Sequence, residues 1–244
     1  MDSSARLKIK GSIAAAIALA AFWADTAAAK PLNAATVCES AIAQQERAQR
    51  IPPQLLHAIS IVESGRWSKG EQENTAWPWT VMAEGKGRYL PSKSAAIREV
   101  RALQRRGIRN IDVGCMQVNL KYHPDAFKSL QEAFDPTLNA RYAATFLVKL
   151  RREKRSWTQA VKHYHSATRS LHGPYRNKVY AVWRAERRKA RKEQIALERE
   201  RRQQSAARRA HARAERLLAD NRFSESRQRW LEATTESLLD RDSR

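Results

Sequence analysis

In this chain of 244 residues the search for chemistry begins at one glutamate, because its helix would set it against burial. In Leu55-Leu56-His57-Ala58-Ile59-Ser60-Ile61-Val62-Glu63-Ser64-Gly65, Glu63 follows Ile59 by four residues and Leu56 by seven, so on a helix it projects from the apolar face. Desolvation and the negative end of the helix dipole both disfavour its ionised form there, which raises its pKa and suits a general acid. The same position also fits a polar residue capped at a helix end. Tyr164 closes another apolar stripe, and a buried tyrosine hydroxyl needs a partner such as a nearby carboxylate. A second carboxylate would change the chemistry, and Glu71, Glu73, Glu84 and Asp112 are the candidates. Asp112 stands nearest in sequence to Gln117, although a turn residue bonding backbone amides ahead of Gly114 would look the same. His163 and His165 lie two apart and point to different helix faces, with no cysteine or acid at ligand spacing, so no metal site is expected.

The elements that must position these groups are mostly helical. Val37, Ala41 and Ile42 mark a first helix over 34–50. Pro52-Pro53 suits the start of the Glu63 helix, and Gly65 is placed like a left-handed residue that stops it. Trp77 to Ala83 and Arg88 to Leu90 flank Glu84-Gly85-Lys86-Gly87, which reads as a β-hairpin. Ser92 or Ser94 caps a helix to Arg106 with Ile97, Val100 and Leu103 inward and Gly107 closing it, and Ile111-Asp112-Val113 is a brief extended piece. Asp135-Pro136 starts a helix with a stripe of Leu138, Tyr142, Phe146 and Leu150. Ser156 opens the helix of Trp157, Ala160, Val161 and Tyr164, and Gly173-Pro174 turns the chain into a last helix from near Tyr175, with Val179, Val182 and Trp183 as its core residues.

Composition narrows the setting. Residues 1–29 read as an export signal: Arg6, Lys8 and Lys10 precede a short apolar run from Gly11 to Trp23, and Ala27-Ala28-Ala29 offers a cleavage site near Ala29. A signal anchor is the competing reading of that run. No cysteine follows Ala29 directly, which argues against a lipoprotein anchor. An exported chain with two cysteines, Cys38 and Cys115, permits one disulfide of a single connectivity, or else two buried thiols. The net charge of +21 divides into +14 up to Trp183 and +7 from Arg184 onward. Such basicity would ordinarily suggest nucleic acid, but export excludes that partner and leaves an anionic wall polymer or membrane surface. From Arg184 to Arg244 the sequence turns to Arg, Glu, Ala and Gln with no sustained heptad, which describes a charged helical or partly disordered tail.

Three pieces of the chain carry a resemblance. Ile61-Val62-Glu63-Ser64-Gly65, then Asp112-Val113-Gly114-Cys115-Met116-Gln117-Val118-Asn119, then Ala160-Val161-Lys162-His163-Tyr164-His165-Ser166-Ala167 resemble, in order, the three signatures of the soluble lytic transglycosylase family. They span roughly Ala34 to Trp183. The resemblance implies a mainly α, lysozyme-like fold of the goose-type and lytic transglycosylase kind, with a small β-hairpin insert and a charged helical C-terminal extension. It divides the chain into a signal peptide (1–29), a lytic transglycosylase domain (30–183) and a tail (184–244).

The implied activity is periplasmic cleavage of the β-1,4 bond between N-acetylmuramic acid and N-acetylglucosamine in peptidoglycan, leaving 1,6-anhydro ends, with no cofactor. By the same resemblance Glu63 is acid and then base. Gln117 and Met116 line the cleft, Tyr164 orients the carboxylate, and Ser64, Asn119 and His165 join the substrate-binding set. Trp67, Trp77, Trp79 and Tyr89 would stack on sugar rings or pack the hairpin. The chain departs from the family pattern at Cys115, which replaces a larger apolar residue, at His165-Ser166 in place of Asn-Ala, and in the long insert between Gly65 and Gly114. The piece Trp77-Pro78-Trp79-Thr80-Val81 together with Asp112-Val113-Gly114-Cys115-Met116-Gln117-Val118-Asn119 looks like the proteobacterial branch found near conjugation, secretion or flagellar systems, which makes such an apparatus a candidate partner of the basic tail. A degenerate glycan-binding scaffold and a hydrolytic muramidase remain the alternatives.

Overall fold

A computed structural model describes residues 34–68, 72–166 and 168–242. The export-signal reading of 1–29 and the candidate Glu71 lie outside the described residues.

Helix α1 (Ala34–Ala48) and helix α2 (Leu55–Ser64) form the first layer of the core, with Cys38, Ile42, Leu55, Leu56 and Ile59 fully buried. Each buried Leu or Ile contributes roughly 1.5–3 kcal/mol of hydrophobic stabilisation. The prolines do not open α2. Leu55 N–H donates to Pro52 O (3.0 Å) and Gln54 turns left-handed at φ 67° without a side-chain cap, so the helix starts a turn later than expected. Its free N-terminal donors go instead to Glu46 of α1, whose Oε2 accepts from Gln54 N (2.8 Å) and whose Oε1 accepts from Leu56 N (2.8 Å) and His57 N (3.1 Å). At the other end Gly65 is extended (φ −62°, ψ 130°), not left-handed. Glycine is required there for a different reason: a Cβ would stand 2.2 Å from Ile61 O. The chain can therefore leave the helix straight into a strand.

That strand, β1 (Gly65–Ser68), pairs antiparallel with β2 (Glu73–Ala76). The expected hairpin follows as β3 (Thr80–Ala83) and β4 (Lys86–Tyr89), with Thr80 opposite Tyr89 and Ala83 opposite Lys86. Glu84 (φ 54°) and Gly85 (φ 72°) make its two-residue turn, the left-handed pair that matches strand twist. The hairpin does not stand alone. β5 (Ile111–Val113) pairs with β3, and β6 (Val118–Asn119) pairs with β5, giving the order β4-β3-β5-β6. Helix α3 (Lys93–Arg105) begins at Ser92, whose hydroxyl accepts from Ala95 N, and packs Val100 and Leu103 against Val81, Ile111 and Phe134.

After the short α4 (Leu130–Ala133), helix α5 (Pro136–Lys154) starts on Asp135, which accepts from Leu138 N (3.0 Å). Its buried face is Asn139, Ala140, Ala143, Ala144, Leu147 and Leu150. Of the stripe expected from the sequence only Leu150 belongs to that face; Leu138, Tyr142 and Phe146 are half-buried. The alanine row is what lets α1 and α6 (Trp157–His165) lie close on α5. Helix α7 (Arg169–Asp242) begins ahead of Gly173-Pro174, which does not break it, and runs 74 residues without interruption. At 1.5 Å per residue that is about 110 Å. Tyr175 and Val179 are buried against α2 and α6, Trp183 Nε1–H donates to Pro53 O (2.9 Å), and from Arg191 onward every described side chain is exposed. Among the described residues no helix is long and apolar enough to cross a membrane.

Candidate active site

The segment between β5 and β6 is held from behind by four separate helices, α5, α1, α2 and α6. Gly114 is left-handed (φ 82°), and its missing side chain leaves room for Asn139, whose amide would lie 2.5 Å from a Cβ there. Asn139, fully buried in the alanine face of α5, donates to Val113 O (3.0 Å) and Ala133 O (3.0 Å) and accepts from Met116 N (2.9 Å). Cys115 is joined to Cys38 of α1 by a disulfide with its Cα atoms 5.9 Å apart. Ser64 of α2 donates to Cys115 O (2.6 Å), and its hydroxyl also reaches Ser60 O (3.2 Å). Met116 O accepts from the Tyr164 hydroxyl of α6 (3.1 Å).

These bonds define a cleft of about 400 Å³ with Glu63, Asp112, Gln117, Asn119, Tyr164 and His165 on its wall. Gln117 adopts a left-handed backbone (φ 47°), its Nε2 donating to Gly114 O (3.0 Å) and Thr80 O (3.3 Å). Asp112 accepts from Asn119 Nδ2 (2.8 Å), which also reaches Asn110 Oδ1 (2.6 Å). Tyr122, 68% exposed, and Tyr142 and Phe146 of α5 complete the aromatic part of the wall.

Two expected cleft residues are elsewhere. Met116 is fully buried in the core and meets the site only through its backbone. Ser64 is also fully buried and is committed to backbone carbonyls. For Met116 this follows from the turn Gly114–Gln117, which directs Gln117 outward and Cys115 and Met116 inward. The largest difference concerns the tyrosine. Tyr164 was expected to bond Glu63, but the hydroxyl on Glu63 Oε1 is that of Tyr175 (2.5 Å), one turn and a half into α7. The ring of Tyr175 is stacked on His165, with centroids 4.7 Å apart and planes 11° from parallel. The signal for Tyr175 was its early position on a helix whose later residues, Val179 and Val182, face the core.

Burial pushes the Glu63 carboxyl up to about 7; the charge of Asp112 adds to this and the Tyr175 hydroxyl opposes it. Asp112 is itself pushed up by burial, against the pull of Asn119 and His165. Burial lowers His165, with Asp112 acting the other way. Tyr164 and Tyr175 are raised by burial and by the charge of Glu63, so both remain neutral donors at any moderate pH. A buried carboxyl that titrates near neutrality beside a fixed hydroxyl donor can give a proton to a bound group and take one back.

The other sequence candidates find partners outside the cleft. Glu73 pairs with Lys189, and Glu84 with Arg106 and Arg88. Trp77 donates to Leu90 O (2.7 Å) beneath the Arg66 guanidinium, Trp79 meets Trp77 edge-on, and Tyr89 donates to Gly65 O (2.8 Å). These three fasten the β region together, while Trp67 is 59% exposed on β1. Among the described residues no group of three His, Cys, Asp or Glu side chains is arranged to hold a metal ion.

Residues 40–180 match the family model described as transglycosylase SLT domain, which is more than half of the chain. No curated protein and no solved structure matches.

Proposed function

The chain belongs to the transglycosylase SLT domain family, a lysozyme-like group acting on peptidoglycan, and from that premise we propose that it is a lytic transglycosylase whose catalytic residue is Glu63. The observation that carries the reading is the Glu63 carboxyl, half-buried on the cleft wall, desolvated enough to be poised near pH 7, and bonded by a neutral tyrosine. Protonated, it gives its proton to the glycosidic oxygen as the bond between N-acetylmuramic acid and N-acetylglucosamine breaks. The carboxylate so formed takes the proton from the muramic 6-hydroxyl, whose oxygen closes on C1 to give a 1,6-anhydro end. The proton count balances on one carboxyl, so no second acid is needed where ordinary glycosidases use two. Neutral phenols suit both steps, because Tyr175 can donate to the carboxylate without competing for the proton.

Gln117, Asn119, Tyr164 and His165 are the side chains that would hold the sugars. We read residues 30–183 as the catalytic unit, exported to the periplasm by 1–29 and extended by 184–244, and local wall opening for a secretion, conjugation or flagellar apparatus as its use. Asp112 favours a second reading. It lines the same cleft and raises Glu63, and a carboxylate so placed could deprotonate a water and make the enzyme a hydrolytic muramidase. Mass spectrometry of the fragments released from purified cell-wall sacculi separates the two. Anhydro ends, one water lighter, are expected; hydrated reducing ends would assign the muramidase. No release at all would leave a scaffold protein.

A further inference from the structure

Outside the cleft, where α6 meets the first two turns of α7, a second concavity is lined by Gln159, Lys162, His163, Arg169, His172 and Arg176, with no acidic residue on its wall. Among the described residues Lys162, Arg169 and Arg176 have no carboxylate within ion-pairing distance. Arg176 Nε is buried without any hydrogen-bond partner. The two histidines meet edge-on at 4.4 Å, and His172 Nε2 is taken up by Ser166 O (2.9 Å). His163 is pulled below its ordinary value by burial and then by the charges of His172, Lys154 and Lys162. Arg169, His172 and Gly173 come from the start of α7, so the positive end of that helix dipole adds to the same field.

Like charges gathered around a hollow repel one another, and a buried guanidinium N–H without an acceptor is unfavourable, unless an anion fills the space. From this geometry we infer that the hollow is a binding site for a phosphate group, separate from the glycan cleft. The three permanent cations decide between oxyanions. One carboxylate brings a single negative charge and leaves two uncompensated, whereas a phosphate brings about −1.5 to −2 and three acceptor oxygens for two guanidinium forks, an ammonium and an amide. The site backs directly onto the catalytic side chains, since His163 precedes Tyr164 and Arg176 follows Tyr175. Its occupant would therefore brace the α6–α7 junction.

The source of the phosphate is either a soluble ion or a lipid headgroup, and the test distinguishes them. Isothermal titration of the purified chain with inorganic phosphate at constant ionic strength is expected to give saturable one-site binding. Lys162→Ala with Arg169→Ala, neither in the core, should weaken it by about tenfold or more by removing two charge-assisted contacts. Arg208→Ala with Arg209→Ala removes the same charge from exposed α7 and should leave it unchanged. In nuclear magnetic resonance, phosphate should move the His163 titration to higher pH, because an anion favours the charged imidazole. Sedimentation with phosphatidic acid vesicles, whose headgroup is a phosphate monoester, against phosphatidylcholine, then assigns the source: co-sedimentation lost in the first double variant means a headgroup, and phosphate binding without vesicle binding means a soluble ion. Absence of saturable heat, or equal weakening in the two double variants, would overturn the site.

Discussion

A glutamate stands at each end of helix α2, and the two have opposite fates. At its N-terminus Glu46, reaching in from α1, accepts three backbone N–H groups at the positive end of the dipole. Burial still raises its pKa, but those bonds and His57 pull it back. At the C-terminus Glu63 has one tyrosine hydroxyl, faces the negative end of the dipole, and is pushed up to about 7. The same side chain is thus a structural cap where donors converge on its charge and, in the proposed reaction, a proton carrier where they do not. Helix α1 serves both ends, through Glu46 at one and through the Cys38–Cys115 disulfide behind the other.

Changing the proton carrier should give the largest effect. Glu63→Gln is expected to reduce glycan cleavage by about 10³-fold or more while the fold is kept, the scale of a lost acid–base group. It should also remove a stability slope. A carboxyl raised from 4.5 to about 7 holds its proton longer in the folded state, so folded stability falls as pH rises between those values, by up to roughly 3 kcal/mol. Urea melts at pH 5 and pH 8 should show that fall in the parent chain and not in the variant. Persistent turnover in the variant would sink the assignment.

Opening the bridge is next. Cys38→Ser with Cys115→Ser frees a link across 77 residues and should lower stability by about 2–5 kcal/mol. Glu46→Ala strands three backbone donors, one buried and two half-buried, and should lower it by about 2–3 kcal/mol in the same melts, with the folded fraction retaining activity per molecule. If Glu46→Ala instead abolished activity without loss of stability, the division of labour between the two ends would be wrong. The smallest change should be Tyr175→Phe. It removes a donor that favours the ionised carboxylate, so the alkaline limb of the pH–rate profile should shift to higher pH, with about a tenfold loss of rate. Tyr164→Phe, whose hydroxyl serves Met116 O, should leave that limb in place.

Local pattern made α2, the hairpin and the Ser92 and Asp135 starts legible, because spacing, caps and turn residues act within a few positions, whereas the loop carrying Gln117 was legible only through its resemblance to the family signature. What it could not carry was direction across the core. Tyr164 and Tyr175 look alike as helix-borne tyrosines, and only the packing of α6 against α7 decides which hydroxyl meets Glu63. Asn139 had a signal that went unread: a lone amide within an alanine row marks a buried group with something to hold. Glu46 had another, since Pro-Pro-Gln before α2 offers no side-chain cap and its N–H groups must find an acceptor elsewhere. Gly65 was recognised as necessary but for the wrong reason, since close approach to a carbonyl leaves no trace in spacing.

Helix α7 is one element with two stabilities. Its first turns are packed on α2 and α6, so their amides open to solvent only when the core does. Beyond Gln194 the hydrogen bonds rest on pairs such as Glu198 with Arg202 and on little else. An isolated helix of that kind opens by fraying, at almost no free energy per step. Deuterium would therefore enter α7 from its far end in seconds while the amides around Tyr175 stay protonated, so that exchange along a single helix marks where the chain's cooperative unit stops.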